Sequence, residues 1–293
     1  MTVFVTVADE GGFSAAARRL GMPLATVSRK VTELEESLKL RLINRTTRWI
    51  ALTEGGAAFL ASARQILETL HEAERVATGE YAEPRGGLTI TAPIVFGRLH
   101  VLPIVTEFLR AHPQVEIRLL LMDRVVNLLE EQIDLSVRIG ELAESSLMAI
   151  RLGSIRQVVV ASPAYLRAHG RPNHPDELIA HDGVVFATDG SGKAMTFRIN
   201  HENRSVPVRS RLTVTTAEAA IDAAIADAGI TQVRCYQVID AIDRGKLELV
   251  LRSFETDDAP LSFVYPSGRL VPLKLRAFLD FAAPRIKARM RVF

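Results

Sequence analysis

Thr26, Ser28, Arg29 and Lys30 set two hydroxyls, a guanidinium and an ammonium within five residues. Such groups hydrogen-bond base edges and neutralise phosphates. Asn44-Arg45-Thr46-Thr47-Arg48 holds two more guanidiniums in a polar run between apolar ones, a pattern suited to phosphate or the minor groove. Groups that would break covalent bonds are poorly arranged. Gly192-Lys193 resembles the end of a phosphate-binding loop, but Ala194 stands where a Ser or Thr is needed and Ala187 where the first glycine belongs. No GxGxxG, HExxH or GxSxG run occurs. His169, His174 and His181, spaced by 5 and 7, match no zinc pattern. Cys235, the one cysteine, stands beside Arg234 and suits a thiolate sensor or, more simply, a buried inert thiol. A single cysteine excludes an internal disulfide and a multi-cysteine metal site. The expected cofactor and metal content is none.

The polar groups need elements to aim them. Phe13-Ser14-Ala15-Ala16-Ala17-Arg18-Arg19-Leu20-Gly21 predicts a short helix with Ser14 as N-cap and Gly21 as its stop. A second helix begins at Pro23, which has no N–H to leave unpaired. Val27, Val31, Leu34 and Leu38 follow at spacings of 4, 3 and 4, one buried stripe. Thr26, Ser28, Arg29 and Lys30 fall largely off it, near the start. Two short helices across a glycine turn make a helix-turn-helix, whose second helix enters the major groove. Two short, mainly apolar runs, 40–43 and 49–52, around the polar turn predict a basic hairpin, a wing. The candidate DNA contacts are Ser14, Pro23, Leu24, Thr26, Ser28, Arg29, Lys30, Arg45, Thr47 and Arg48. Thr26, Ser28 and Arg29 are expected on bases, and Arg45 and Arg48 on the backbone. Each arginine alone reads as a solvated surface residue; the combination points to double-stranded DNA.

Charge follows the same division. The 293 residues, about two domains' worth, carry a net charge of +2. Residues 1–50 hold eight basic and five acidic side chains, and residues 51–84 hold two and six. That suits a nucleic-acid head on an acidic spacer, although two ordinary solvated surfaces would explain the charge alone. With 48% hydrophobic and 24% charged residues, a largely disordered chain is excluded. No apolar run nears the ~18 residues of a membrane helix. Asp9, Glu10 and the lack of a basic leader argue against secretion, so the expected compartment is the cytoplasm, with no membrane partner.

Thr53 can cap a helix running to about Thr78. Its Phe59, Ala63, Ile66, Leu70, Ala73 and Ala77 recur at 4, 3, 4, 3 and 4, a seam for a partner helix or for packing on its own domain. Residues 80–87, with Pro84, Gly86 and Gly87, read as a hinge. Beyond it, strands are predicted at 88–92, 115–121 and 135–139, and helices at 98–112 and 127–132. A second series has a strand at 158–161 and a helix at 163–169. A hairpin of 184–187 with 196–199 follows, then a strand at 208–214, a helix at 217–228 and a strand at 230–233. A strand at 261–265 and a helix at 273–287 close it. The alternation implies βαβ units, an α/β class and a parallel sheet.

Small ligands sit at the carboxyl ends of such strands. Pro93, Ile94 and Phe96 follow the first strand, and Arg138 and Gly140 end another. Thr215 and Thr216 precede an alanine-rich helix whose free N–H groups favour an anion, and Thr231 follows Gly229. Arg138 could instead pair with Asp134 or Glu141, and the two threonines could serve only as caps. One cation and a helix start among Ile94, Phe96 and Ile139 suit an aromatic or short aliphatic carboxylic acid.

Residues 11–56 resemble the winged helix-turn-helix of LysR-type transcriptional regulators. The matching words are Phe13-Ser14-Ala15-Ala16-Ala17, Leu20-Gly21, Thr26-Val27-Ser28-Arg29, Leu34-Glu35, Asn44-Arg45-Thr46-Thr47-Arg48 and Leu52-Thr53-Glu54-Gly55-Gly56. The resemblance continues to the end of the chain. It implies a DNA-binding head at 1–56, a dimerising linker helix and hinge at 57–84, and an effector domain at 85–293 that is similar to periplasmic binding proteins. Two lobes, 85–161 with 266–293 and 162–265, would be joined by crossings near Ser162 and Tyr265. The implied protein is no enzyme: it binds an operator as a homodimer or homotetramer, under a small-molecule effector held between the lobes.

Three departures stand out. The first helix is expected to be clipped to residues 2–8. Leu24 stands where the family often has a hydrogen-bonding residue, so it would pack on a thymine methyl. Asp227 stands where a second glycine near Gly229 is common. The other reading of the residues is an α/β ligand-binding or enzymatic protein with a degenerate N-terminal helical segment; the missing signal peptide and catalytic motifs argue against it.

Overall fold

The computed structural model describes residues 1–45, 50–77, 83–142, 147–187, 194–267 and 271–290. The chain divides into two units, Met1–Glu83 and Pro84–Phe293. In the first, α1 (Thr2–Asp9), α2 (Phe13–Leu20) and α3 (Leu24–Leu38) precede a hairpin of β1 (Ile43–Arg45) and β2 (Ile50–Leu52), and α4 (Glu54–Ala77) follows. Phe4, Val7, Ala16, Ala17, Val27, Val31, Leu42, Ile43 and Leu60 form the core, so the predicted stripe of the second helix is the buried one. Gly21 ends α2 in the left-handed region, φ 60°, where only glycine is unstrained. Two expected boundaries move by one or two residues. Gly12, not Ser14, is the N-cap of α2, and Ser14 lies inside the helix. Pro23 is the N-cap of α3 rather than its first residue, with ψ 141° outside the helical region.

Two polar side chains fasten the wing. A Glu35 carboxylate oxygen accepts the N–H groups of Leu42 and Ile43 at 2.8 and 3.0 Å. Thr53 caps α4 as expected: its Oγ1 accepts Gly56 N–H at 2.9 Å and donates to Arg41 O at 2.6 Å. A Cβ on Gly56 would stand 2.0 Å from Leu42 O, so only glycine lets helix and hairpin meet.

The second unit opens with β3 (Gly86–Ala92). From it α5 (Ile94–Phe96) runs through a five-residue π turn, Gly97–Val101, into α6 (Leu102–Ala111). Next come β4 (Val115–Leu121), β5 (Leu135–Ile139), β6 (Leu147–Ile155), β7 (Gln157–Ala161), α7 (Pro163–His169) and β8 (Asp182–Phe186). Then follow β9 (Ala194–Ile199), β10 (Glu202–Pro207), β11 (Arg209–Val214), α8 (Ala217–Ile225), β12 (Thr231–Arg234), α9 (Cys235–Asp243), β13 (Glu248–Val250), β14 (Ala259–Pro266) and α10 (Leu273–Met290). One lobe is built on a sheet of order β4-β3-β5-β14-β6, with β3 parallel to β4 and β5 and β14 antiparallel to its neighbours. The other holds β12-β7-β13, the parallel pair β8 and β11, and a β9–β10 hairpin.

Several expectations are corrected. Strand 184–187 does not form a hairpin with 196–199: β8 pairs in parallel with β11, and β9 turns into β10 at Asn200 and His201, φ 51° and 70°. Two positive-φ residues make the turn that best matches strand twist. Residues 127–132 form a hydrogen-bonded turn instead of a helix, ended by Gln132 at φ 53°; Asn127 Oδ1 holds it through Leu129 N–H at 3.1 Å. The lobe crossings also shift. β7 pairs with β12 and β13, and β14 with β5 and β6, so the chain crosses at Arg156 and between Phe254 and Ala259 rather than near Ser162 and Tyr265. At these crossings Arg156 Nη1 donates to Glu255 at 3.2 Å and Ser154 Oγ to Asp258 at 3.2 Å.

Candidate nucleic-acid interface and ligand cleft

At the start of α3 the side chains divide as a groove-reading helix requires. Val27 and Val31 are fully buried, Thr26 and Ser28 are half-buried, and Pro23, Leu24, Arg29 and Lys30 are exposed, as is Ser14. Arg29 lies 3.5 Å from Glu33 one turn on. That pair orients the guanidinium without neutralising it away, since exposed pairs are weak. The β1–β2 register, Arg45 opposite Ile50, confirms the hairpin. The Arg45 side chain, Thr47 and Arg48 lie outside the described residues. Sequence reasoning missed Glu35 as the wing's anchor; Leu34-Glu35 was the available signal.

On α4 the expected seam splits. Phe59 packs on Phe4, ring centroids 5.7 Å apart, and Ala63 is fully buried, so both serve their own unit. Ile66 and Leu70 are 50% and 51% exposed. The side chains of Ala73 and Ala77 lie outside the described residues.

In the second unit a cavity of about 130 Å³ opens at the carboxyl ends of β3, β4 and β5. It brings together Pro93, Arg138 and Gly140 of the expected set, with Asp123 and Ser136. Arg138 Nη2 donates to Val126 O at 2.6 Å and pairs with no carboxylate among the described residues. Asp134, proposed above as its partner, accepts Thr89 N–H at 2.7 Å instead. Asp123 accepts Ile94 N–H at 3.1 Å, and burial raises its pKa. Asp123 was missed, although it stands two residues beyond a correctly read strand.

The other expected ligand contacts are elsewhere. Phe96 is fully buried against the rings of His100 and Tyr236, at 4.8 and 5.4 Å. Thr216 caps α8 through Ala219 N–H at 3.3 Å, and Thr215 is exposed. Thr231 is fully buried in β12, its hydroxyl without a partner among the described residues. Ile94 does not line the cavity, although its backbone N–H donates to Asp123, which does. Arg98, on the π turn, stands 3.7 Å from Glu218 of α8 and bridges the lobes. Burial, followed by the charge of Arg289, lowers the His100 pKa to about 4, so its ring is neutral.

The groups that might have done chemistry are structural. His169 stacks on Tyr165 at 4.3 Å, His181 Nδ1 meets the Tyr165 hydroxyl at 3.4 Å, and His174 pairs with Asp176 at 3.3 Å. No group of three or more metal-ligating side chains occurs among the described residues. Cys235 is buried, and burial raises its pKa, which suits an inert thiol.

Residues 1–57 match the family described as "Bacterial regulatory helix-turn-helix protein, lysR family", and residues 82–287 match the "LysR substrate binding domain". The chain belongs to the LysR family. This LysR-type protein is 35% identical over 285 residues to the HTH-type transcriptional regulator CrgA of Neisseria meningitidis serogroup C (strain 8013), covering 96% of this chain and 94% of that protein. It is 34% identical over 288 residues to an HTH-type transcriptional regulator of Xanthomonas campestris pv. campestris (strain 8004), covering 97% and 84%. Among solved structures, CrgA from Neisseria meningitidis aligns with TM-score 0.63 at 33% identity over 97% of both chains. The full-length Vibrio cholerae virulence activator AphB aligns with TM-score 0.61 at 26% identity over 96% of both chains. The LysR-type chain is therefore a DNA-binding transcriptional regulator and not an enzyme. No helix among the described residues is long and apolar enough to cross a membrane.

Proposed function

We propose that the regulator reads a two-fold operator as a homodimer or homotetramer of its heads, in the cytoplasm beside the chromosome, and that a small organic acid between its effector lobes changes how the heads are placed. Thr26, Ser28 and Arg29 read bases, Leu24 packs on a thymine methyl, and Arg45, Thr47 and Arg48 hold the backbone. Ile66 and Leu70, exposed on α4, supply the apolar surface of a partner seam. Ala73 and Ala77 continue it in the same heptad phase.

The observation that carries the effector half is the cavity at the carboxyl ends of three parallel strands of one lobe, the usual ligand position in open α/β sheets; the second lobe supplies none of its lining. Among the described residues the Arg138 guanidinium there has one hydrogen-bond partner, the Val126 carbonyl, and no carboxylate partner. A carboxylate on an apolar body suits it. The test is to select genomic DNA fragments with the purified chain, sequence them, and titrate the enriched site in the presence of carboxylic acids and their amides. Enrichment of a two-fold site whose affinity changes with an acid and not its amide is the expected result. Absence of enrichment overturns the operator half, and operator affinity unmoved by every acid overturns the effector half.

A further inference from the structure

The outermost face of α3 carries more acid than base. Val27, Val31, Leu34 and Leu38 share one side of the helix, and Ala25, Arg29, Glu33 and Glu36 fall on the opposite side, all four exposed. A carboxylate facing phosphates works against DNA binding, so two of them on the outer ridge of a groove-reading helix call for a reason. Their neighbour Glu35 has one in the fold, since it accepts the N–H groups of Leu42 and Ile43. Glu36 stands two turns beyond Arg29. A recognition helix sends the residues of its N-terminal end to base edges, so Glu36 lies past the reading segment. Glu33 is one turn from Arg29, and among the described residues its side chain has Arg29 as its one polar partner.

The atoms in that pair matter. Glu33 Oε1 lies 3.5 Å from Arg29 Nε, the inner nitrogen of the guanidinium. The outer two, Nη1 and Nη2, are engaged by no other group among the described residues. An arginine reads guanine with two donors at once, to O6 and N7. The Nη1–Nη2 edge supplies both donors while Nε stays with the carboxylate. In the free protein the pair is 71% and 59% exposed and is worth little. In the major groove the same pair loses water, the local dielectric falls and the attraction grows.

We infer that Glu33 is a positioning residue that sets base preference: it holds Arg29 end-on against a guanine, and its charge disfavours a lapse of the guanidinium onto a neighbouring phosphate. Each operator half-site then has a G·C pair where Arg29 reaches. The inference rests on the reading that Arg29 contacts a base.

The test selects randomised duplexes with the full chain and with Arg29→Ala, Glu33→Gln and Arg29→Ala/Glu33→Gln. The enriched site, its single-base variants and random DNA are then titrated with each protein. Arg29→Ala is expected to lose preference at one base pair of each half-site, a G·C pair. Glu33→Gln should lose about two- to fivefold of the preference at that pair and at no other, between the worth of an exposed helix pair and that of a full base contact. It should bind random DNA as tightly as the unsubstituted chain or more so, and unfold at the same temperature. In the double variant the effect of Glu33→Gln on preference should vanish. Unchanged preference in Glu33→Gln, a loss spread over several base pairs, a loss that survives removal of Arg29, or a pair other than G·C at the Arg29 position overturns the proposal. Equal weakening on all sequences by Glu33→Gln makes its role merely structural and overturns it too. A relaxed Arg29→Ala beside an unaffected Glu33→Gln removes this inference alone. Equal losses on operator and random DNA for Arg29→Ala, or no enrichment by the unsubstituted chain, remove the base-reading assignment as well.

Discussion

The Ser162 hydroxyl donates to the Asp227 carboxylate, tying the residue after β7 to the left-handed turn that follows α8. Asp227 sits at φ 62°, a conformation that costs a non-glycine residue about 1–2 kcal/mol but that Asp tolerates better than most. The hydrogen bond gives back what the missing glycine loses, so the departure at this position is compensated within the fold. Ser162 also caps α7 through Tyr165 N–H at 3.0 Å. Ser162→Ala should therefore lower stability by about 1–2 kcal/mol, read from the midpoint of urea unfolding, whereas Asp227→Gly should stay within about 1 kcal/mol of the original.

Gly56→Ala is expected to damage the DNA-binding head. The added methyl meets Leu42 O at 2.0 Å, and backbone cannot yield as a flexible side chain can. Overpacking of this kind costs about 1–3 kcal/mol. The measurement is operator affinity beside thermal unfolding of the full chain, and both should fall together.

Arg29→Ala should relax operator preference, because a good base contact is worth about 1–3 kcal/mol of discrimination. Arg48→Ala should weaken operator and random DNA alike and flatten the salt dependence. Competition titrations against both DNAs check this; equal losses for Arg29→Ala would remove it from the base-reading set.

Acid should lower the folding stability of the second unit. His100 has its pKa lowered from 6.5 to about 4 by burial and by Arg289. The unfolded chain then binds a proton that the folded chain refuses, so stability falls as pH drops. The contribution is fully present above pH 6.5 and is lost as pH passes through about 4. At about 1.4 kcal/mol per pH unit, with the ring partly exposed, the loss is on the order of 2 kcal/mol. Unfolding midpoints of His100→Gln should lose the corresponding part of this slope.

What the sequence made legible, and what it concealed, follows from period and polarity. Val27, Val31, Leu34 and Leu38 recur with the helical repeat, so the recognition helix could be read directly. Gly21 and Thr53 punctuate their helices by local chemistry and were equally readable. Glu202, Asn203, Arg204 and Ser205 of β10 are all exposed, so no alternation betrays that strand. The apolar strands β7 and β14 are buried on both faces, so their composition is silent about which lobe claims them. Arg98 is hidden for a different reason. It stands on a π turn whose Leu99 and His100 carbonyls accept from Arg289 of α10, a partner far away in the chain.

The paired crossings at Arg156 and Glu255 carry a mechanical consequence. Two strands running side by side and cross-linked by an ion pair and by Ser154 with Asp258 resist sliding and twisting far better than a single strand would. What remains soft is rotation about the line they share, the usual behaviour of a hinge confined to a few linker residues. Against that rotation stands the apolar core the lobes share, which runs from Phe96 and Val137 to Val160 and Tyr236. Any change in how the two lobes relate would then be described, to first order, by one angle.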